Sequence, residues 1–231
     1  MIPNYRLITP SLGEFYWKES ISDELLQFQQ AITSKLLVDF GNQIRETRLG
    51  FRTLSVVWKT SIPISELDSC LEAIAFDLLL KPLSENCWQV PVCYSPATGR
   101  DLVSLAESKK MSVANLISLH ASVEYRIHFF GFLPGFMYLN GLPEDLHTSR
   151  KKVPDLAVPA GSVAIGGSQT GIYPSESPGG WHLIGRCPLA LFDPNSIPPV
   201  WAKSGDKLKF LPVSEREFDS LIRHPKLPRL R

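Results

Sequence analysis

Apolar residues in the first part of the chain follow two rhythms. Tyr5–Thr9 and Glu14–Lys18 alternate as short strands around Gly13. Arg45–Leu49 and Arg52–Lys59 do so around Gly50, with Thr, Val and aromatic side chains that suit a half-buried pleated surface. Between these pairs, Ile21, Leu25, Phe28, Ile32 and Leu36 fall at helical spacing. Ser22 is placed to cap that helix, and Asp23 and Glu24 sit in its first turn. A second amphipathic helix is expected from Ser65 to Leu80, with Leu67, Leu71, Ile74 and Leu78 on one face. Trp88, Val90 and Val92 then alternate as a strand. Two helices among several strands predict a ferredoxin-like α+β sandwich.

Beyond residue 100 the rhythm changes. Two short helices, Asp101–Lys109 and Ser112–Ala121, precede expected strands at Glu124–Phe130, Ser162–Ile165, Trp181–Ile184, Leu189–Phe192 and Lys207–Leu211. Ser214 and Glu217 form a capping-box pair that signals a last helix. From Gly131 to Gly185 there are ten Gly and six Pro in 55 residues, against three Gly and four Pro in the first 90. A stretch of that kind cannot be rich in helix, and predicts short strands joined by specified turns, as in a barrel or sandwich. The shift places a domain boundary near Ser84–Cys87, with an α+β domain over 1–86 and a β-domain over 87–231.

Composition narrows the function. With 44% hydrophobic and 20% charged residues, the 231-residue chain is a folded globular type rather than a disordered one. Its 24 Lys and Arg against 23 Asp and Glu leave a net charge of +1, which argues against nucleic-acid binding driven by bulk charge. The segment from Asp101 to His120 has the look of a helix-turn-helix, but its second helix offers only Asn115 toward bases. An ordinary αα-hairpin is therefore expected. No apolar run is long enough to span a membrane and MIPNYRLITP carries no signal pattern, so a cytoplasmic protein is expected. Cys70, Cys87, Cys93 and Cys187 are scattered and expected to be buried thiols. His120, His128, His147, His182 and His224 show no zinc-type spacing, so no metal is expected. There is no Walker A loop, dinucleotide fingerprint or complete G-x-S-x-G elbow.

Candidate chemistry gathers in the Gly/Pro-rich stretch. Gly131–Phe136 is a rigid aromatic turn, Gly161–Gly167 a strand ending in a glycine pair, and Ser177–His182 a second turn. Glycines there let backbone N–H groups approach a ligand. Arg150 and Arg186 are of the type that clamps a carboxylate or phosphate. Phe136, Tyr138, Tyr173 and Trp181 can wall a small-molecule pocket, with Gly179 and Gly180 beside them. His182, Arg186, Tyr173 and Gln169 together favour a site, and His120 and His182 are the candidate general bases.

The segments GFLPGFMYLNGLPEDL, VPAGSVAIGGSQTGIYPSESPGGWHLIGRCPLALFDP and SGDKLKF make the chain similar to the allophanate hydrolase subunit 1 family. That family includes the B subunit of the bacterial ATP-dependent 5-oxoprolinase and the sporulation-kinase inhibitor KipI, and a related module lies in urea carboxylase. The resemblance implies a ferredoxin-like domain followed by a cyclophilin-like β-barrel. It implies a subunit that converts 5-oxo-L-proline to L-glutamate with ATP hydrolysis, inactive alone. The partners implied are a homologous second subunit and a third subunit, with the ATP site shared between subunits. His120, His182 and Arg186 are then the expected catalytic residues. Phe136, Tyr138, Arg150, Gln169, Tyr173, Gly179, Gly180 and Trp181 are the expected substrate-binding residues. The alternatives are a KipI-like inhibitor of a sensor histidine kinase and a urea-related enzyme component. The chain departs from the family pattern at Ser149, Asp155 and Cys187, where proline, arginine and threonine are usual. Asp155 would repel an anion held by an arginine at that place in relatives.

Overall fold

The computed structural model of the protein describes residues 3–61, 80–224 and 226–231. It divides into two compact units, residues 1–83 and 84–231.

In the first unit, strands β1 (Asn4–Thr9) and β2 (Leu12–Tyr16) form a hairpin, followed by helix α1 (Asp23–Phe40) and a second hairpin of β3 (Ile44–Leu49) and β4 (Thr53–Trp58). The sheet is antiparallel in the order β1-β2-β4-β3. The Ser22 hydroxyl accepts from the Leu25 N–H at 3.1 Å, and Leu25, Ile32 and Leu36 bury against Phe15, Leu54 and Val56. Buried Gln29 donates to the carbonyls of Gly50 and Thr53 at 3.0 and 3.1 Å, tying the helix to the β3–β4 turn. The first turn falls at Pro10–Ser11 rather than Gly13, which lies inside β2 with the Tyr5 ring packed over it. β2, α1 and β3 make a split β-α-β unit with β4 inserted between its strands. The edge beside β2, where a ferredoxin-like sandwich places its last strand, is taken by β1. The expected second helix falls almost wholly outside the described residues, as does Cys70. The described elements are thus a four-stranded antiparallel sheet and one helix.

The second unit is a closed barrel. Its strands are β5 (Cys87–Cys93), β6 (Tyr125–Phe130), β7 (Met137–Asn140), β9 (Ser162–Gly166), β10 (Gln169–Ile172), β12 (His182–Arg186) and β13 (Lys207–Val213). They run β12-β9-β10-β7-β6-β13-β5, and β12 meets β5 again at Arg186 opposite Cys93. The β5–β13 pair is parallel, and β14 (Arg229–Leu230) adds beside β5. Strands β8 (Asp155–Val158) and β11 (Ser177–Gly179) form a separate two-stranded ribbon. Val90, Ile127, Leu139, Val163, Ile165, Ile184, Leu208 and Phe210 fill the main core. Helices α2 (Leu102–Ser108) and α3 (Val113–Ser122) contribute Leu102, Leu105, Ala106 and Leu116 to that core. The αα-hairpin therefore spends its apolar faces on the barrel. Helix α4 (Glu215–Arg223) begins at Ser214, whose hydroxyl accepts from the Glu217 N–H at 3.2 Å.

Leu189–Phe192 is not a strand. Leu189 and Leu191 are buried in the main core, while the Ala190 carbonyl accepts from Trp201 Nε1, so the alternation marks an irregular segment pinned across the barrel. Among the described residues no helix is long and apolar enough to cross a membrane, and no group of His, Cys, Asp and Glu is arranged to hold a metal ion.

Candidate functional site

A second, smaller apolar cluster consists of Phe136, Val158, Ala164, Tyr173, Trp181 and Leu183. It forms the floor of a cleft of about 360 Å³ lined by Phe132, Phe136, Tyr138, Arg150, Lys151, Pro154, Tyr173, Pro178, Gly179, Gly180 and Trp181. The rings meet edge to face: Phe136 lies 5.4 Å from Tyr173 and 5.7 Å from Trp181, at 86° and 79°. This geometry favours the positive ring edge of one against the negative face of the next. Glycines make the arrangement possible. A Cβ on Gly166 would stand 2.5 Å from the Trp181 ring, one on Gly179 2.4 Å from the Tyr173 oxygen, and one on Gly171 3.0 Å from Phe136. At these positions the glycines serve as beds for aromatic rings.

The cationic side of the cleft hangs on residues 148–151, which three contacts hold in place. Thr148 and Gly167 exchange both backbone hydrogen bonds, at 2.9 and 2.6 Å. His182 Nε2 donates to the Ser149 carbonyl at 3.0 Å. The Lys151 N–H donates to the Gly180 carbonyl at 2.7 Å. The result sets the Arg150 guanidinium 5.7 Å from the Trp181 ring centroid, within cation–π range. Arg150 has no carboxylate partner among the described residues. Lys151 differs: its Nζ lies 2.6 Å from Asp101 and 2.7 Å from Asp155, and Arg100 also reaches Asp155 at 2.7 Å. Burial works to raise the Asp155 carboxyl, but the hydrogen bond and charge of Lys151, with Arg100 behind them, outweigh it and hold the group below its ordinary value. The unusual Asp155 is thereby matched by two cations.

Seven of the residues expected to bind substrate line this cleft: Phe136, Tyr138, Arg150, Tyr173, Gly179, Gly180 and Trp181. Gln169 does not; it opens β10, and its Oε1 is buried without a hydrogen-bond partner among the described residues. The three expected catalytic residues also lie off the cleft lining. His182 anchors Ser149, as above. Arg186 donates from Nε to the Ala160 carbonyl at 2.8 Å and steadies the turn into β9. His120 is fully buried and stacked on Phe210 at 4.6 Å.

The hydrogen bonds of His120 define its tautomer. The Thr170 hydroxyl donates to the Ala164 carbonyl at 2.9 Å, so it accepts from His120 Nε2–H at 2.9 Å. Nδ1 is left to accept from the Tyr94 hydroxyl at 2.7 Å. Burial pushes the imidazole down to about 3, so it is neutral at physiological pH. With both ring nitrogens engaged, His120 is held in the core from the last turn of α3. Burial likewise pushes the Cys187 thiol up to about 12, and Cys87 and Cys93 are also buried free thiols.

Four lining residues escaped the sequence reading. Phe132 and Pro178 sit inside turns already singled out, and Lys151 and Pro154 closely follow Arg150. The run of cations from Arg150 was the available signal for Lys151.

Comparison with known proteins adds family and fold. The family described as carboxyltransferase domain, subdomain C and D, matches residues 6–202. The 5-oxoprolinase B subunit of Haemophilus influenzae is 40% identical over 168 residues, which is 73% of this chain and 79% of the relative. That of Escherichia coli O157:H7 is 50% identical over 127 residues, 55% of this chain and 58% of the relative. The match thus spans little more than half the length of the latter. The urea amidolyase of Kluyveromyces lactis superposes with a TM-score of 0.83 over 99% of this chain and 16% of its own, at 16% identity, which speaks to fold alone. These matches place the chain in the carboxyltransferase subdomain C and D family, alongside proteins named as 5-oxoprolinase B subunits.

Proposed function

We propose that the chain is a subunit of an ATP-dependent 5-oxoprolinase and that its aromatic cleft takes the 5-oxo-L-proline ring. The observation that carries this reading is Arg150 standing over Trp181 with no carboxylate paired to it among the described residues. A flat five-membered lactam laid on the aromatic floor brings its carboxylate to that guanidinium, and a charge-assisted bond fixes its orientation. The relatives named as 5-oxoprolinase B subunits support the same substrate.

The lactam is a stabilised amide and needs activation. Transfer of the γ-phosphoryl group of ATP to the lactam oxygen releases ADP and leaves C5 electrophilic. One water adds at C5, the ring nitrogen takes a proton and leaves, and a second water removes the phosphoryl group as phosphate, giving glutamate. Positioning and charge stabilisation are what a protein contributes to such a transfer. Within the cleft, Arg150 is suited to a single carboxylate, and Lys151 is already committed to Asp101 and Asp155. A triphosphate calls for several cations, so the ATP site is assigned to a surface completed by companion subunits. Val153 and Leu156, 80% and 90% exposed next to the cleft, are the apolar side chains offered to the homologous second subunit.

The test is 5-oxoproline-dependent release of ADP and glutamate by this protein alone and with its two companion subunits. Activity is expected only in the full mixture. Arg150→Ala is expected to raise KM for 5-oxoproline by about one to two orders of magnitude, the worth of a hydrogen bond to a charged group. An unchanged KM overturns the assignment of the cleft. An assembled mixture without activity overturns the enzyme reading and turns attention to kinase inhibition.

A further inference from the structure

The tip of the aromatic turn carries backbone strain. Leu133 N–H donates to the Gly131 carbonyl at 2.8 Å, a bond that spans only two residues, and Phe132 between them has φ of +65°. This is the γ-turn of the left-handed kind, rare even for small residues and unfavourable for a bulky one. The surroundings enforce it. Gly131 N–H donates to the Phe136 carbonyl at 3.2 Å, and Phe136 N–H to the Leu133 carbonyl at 3.0 Å, closing the turn on itself.

The strain does not serve packing, because Phe132 remains 60% exposed. Its ring is instead held edge-on to Phe136 at 5.6 Å and to Tyr173 at 6.3 Å, with interplanar angles of 90° and 89°. It stands on the lining of the cleft, above the buried aromatic floor. A strained residue that projects a large apolar ring into solvent at a pocket rim is the expected signature of a preorganised ligand contact.

We propose that Phe132 is a substrate-selecting wall of the cleft. Its ring is presented by the strained turn so that a flat ligand is held between Phe132 and the floor, while Arg150 takes the ligand's charge. The proposal rests on the reading of the cleft as the 5-oxoproline site, and it assigns Phe132 to binding rather than to chemistry.

The test uses the complete assembly for kinetics and this full chain for thermal unfolding. Phe132→Ala removes the ring and keeps the unfavourable backbone, whereas Phe132→Gly removes both. Each is expected to raise KM for 5-oxoproline about 2–10-fold with little change in kcat, as loss of one aromatic contact does. Phe132→Gly is expected to melt about 2–4 °C above Phe132→Ala, because glycine accepts the positive φ. Phe132→Tyr keeps the ring, and is expected to keep the wild-type KM and melting temperature. If Arg150→Ala raises KM while neither Phe132→Ala nor Phe132→Gly does, the proposal fails and the cleft assignment stands. If none of the three alters KM in an active assembly, both fail. A glycine variant no more stable than the alanine variant overturns the strain argument.

Discussion

At the scale of single residues, the sequence led to some side chains on the cleft and to others off it. Phe136, Tyr138, Tyr173, Trp181 and Arg150 stood out because they are aromatic and cationic side chains close to glycine turns, and all five line the cleft. His120 was not legible, since the same letters serve a general base and a core hydrogen-bonding group. Only the placement of Tyr94 and Thr170 against its two nitrogens separates them. That placement has a consequence for acid stability. In the folded protein His120 titrates near 3, against an ordinary value of 6.5. The unfolded chain therefore binds a proton that the native state refuses. The contribution to stability is complete above pH 6.5 and is lost as the pH falls from there toward about 3, with a slope of up to ~1.4 kcal/mol per pH unit. His120→Gln cannot titrate. It is expected to be less stable than wild type at pH 7, and the difference should shrink in urea unfolding at pH 5.

Among elements, long periodic segments were easy to read and short ones were not. α1 begins where Ser22 places it, and α4 where Ser214 does, because a cap and an apolar stripe are local facts. β7, β8, β10 and β11 span only three or four residues each, too few for an alternation to stand out. Their existence depends on partners distant in the chain. The glycines around them reported a physical need that was legible only in part. Gly166 and Gly179 mark close approach of the Trp181 and Tyr173 rings. β9 tests this point. Gly166→Ala puts a methyl 2.5 Å from the Trp181 ring and must displace it. We expect a loss of about 1–3 kcal/mol in urea unfolding, typical of overpacking, and, on the proposed reading of the cleft, a raised KM for 5-oxoproline as Arg150 loses its platform. Unaltered stability shows that the ring has room to move.

On the scale of the whole molecule, the barrel is sealed by its last segment. Leu230 lies opposite Trp88, and Cys87 exchanges backbone hydrogen bonds with Arg231 at 3.3 and 2.9 Å. The Arg231 side chain also pairs with Glu124. Deleting residues 226–231 exposes an edge of β5 to water, and Cys87 with it. The truncated chain is expected to melt several degrees lower and to label at Cys87 with a thiol reagent, located by peptide mass spectrometry, under conditions that leave the full chain unlabelled there. Protection of Cys87 in the truncated chain would show that the barrel closes without the tail. The jump in glycine and proline content was legible in the sequence and reflects a change in how the backbone turns. The identity of the strand beside β2 was not, since no local pattern records which of two strands takes an edge.

The parallel pairing of β5 with β13 also sets a clock. Lys207 lies opposite Cys87, so β5 leaves the ribosome well before its main partner exists, and its other neighbours, β12 and β14, follow late as well. At roughly 5–20 residues per second, the gap between Cys87 and Lys207 corresponds to about 6–24 s of synthesis. Until β12 emerges, Val90 and Val92, which end in the core, belong to a strand with both edges open, and the edge facing β13 stays open for the whole of that time. The nascent chain is therefore most prone to misassociate during a defined interval of its own synthesis, and slowing translation between β5 and β13 would lengthen that interval without changing the finished protein.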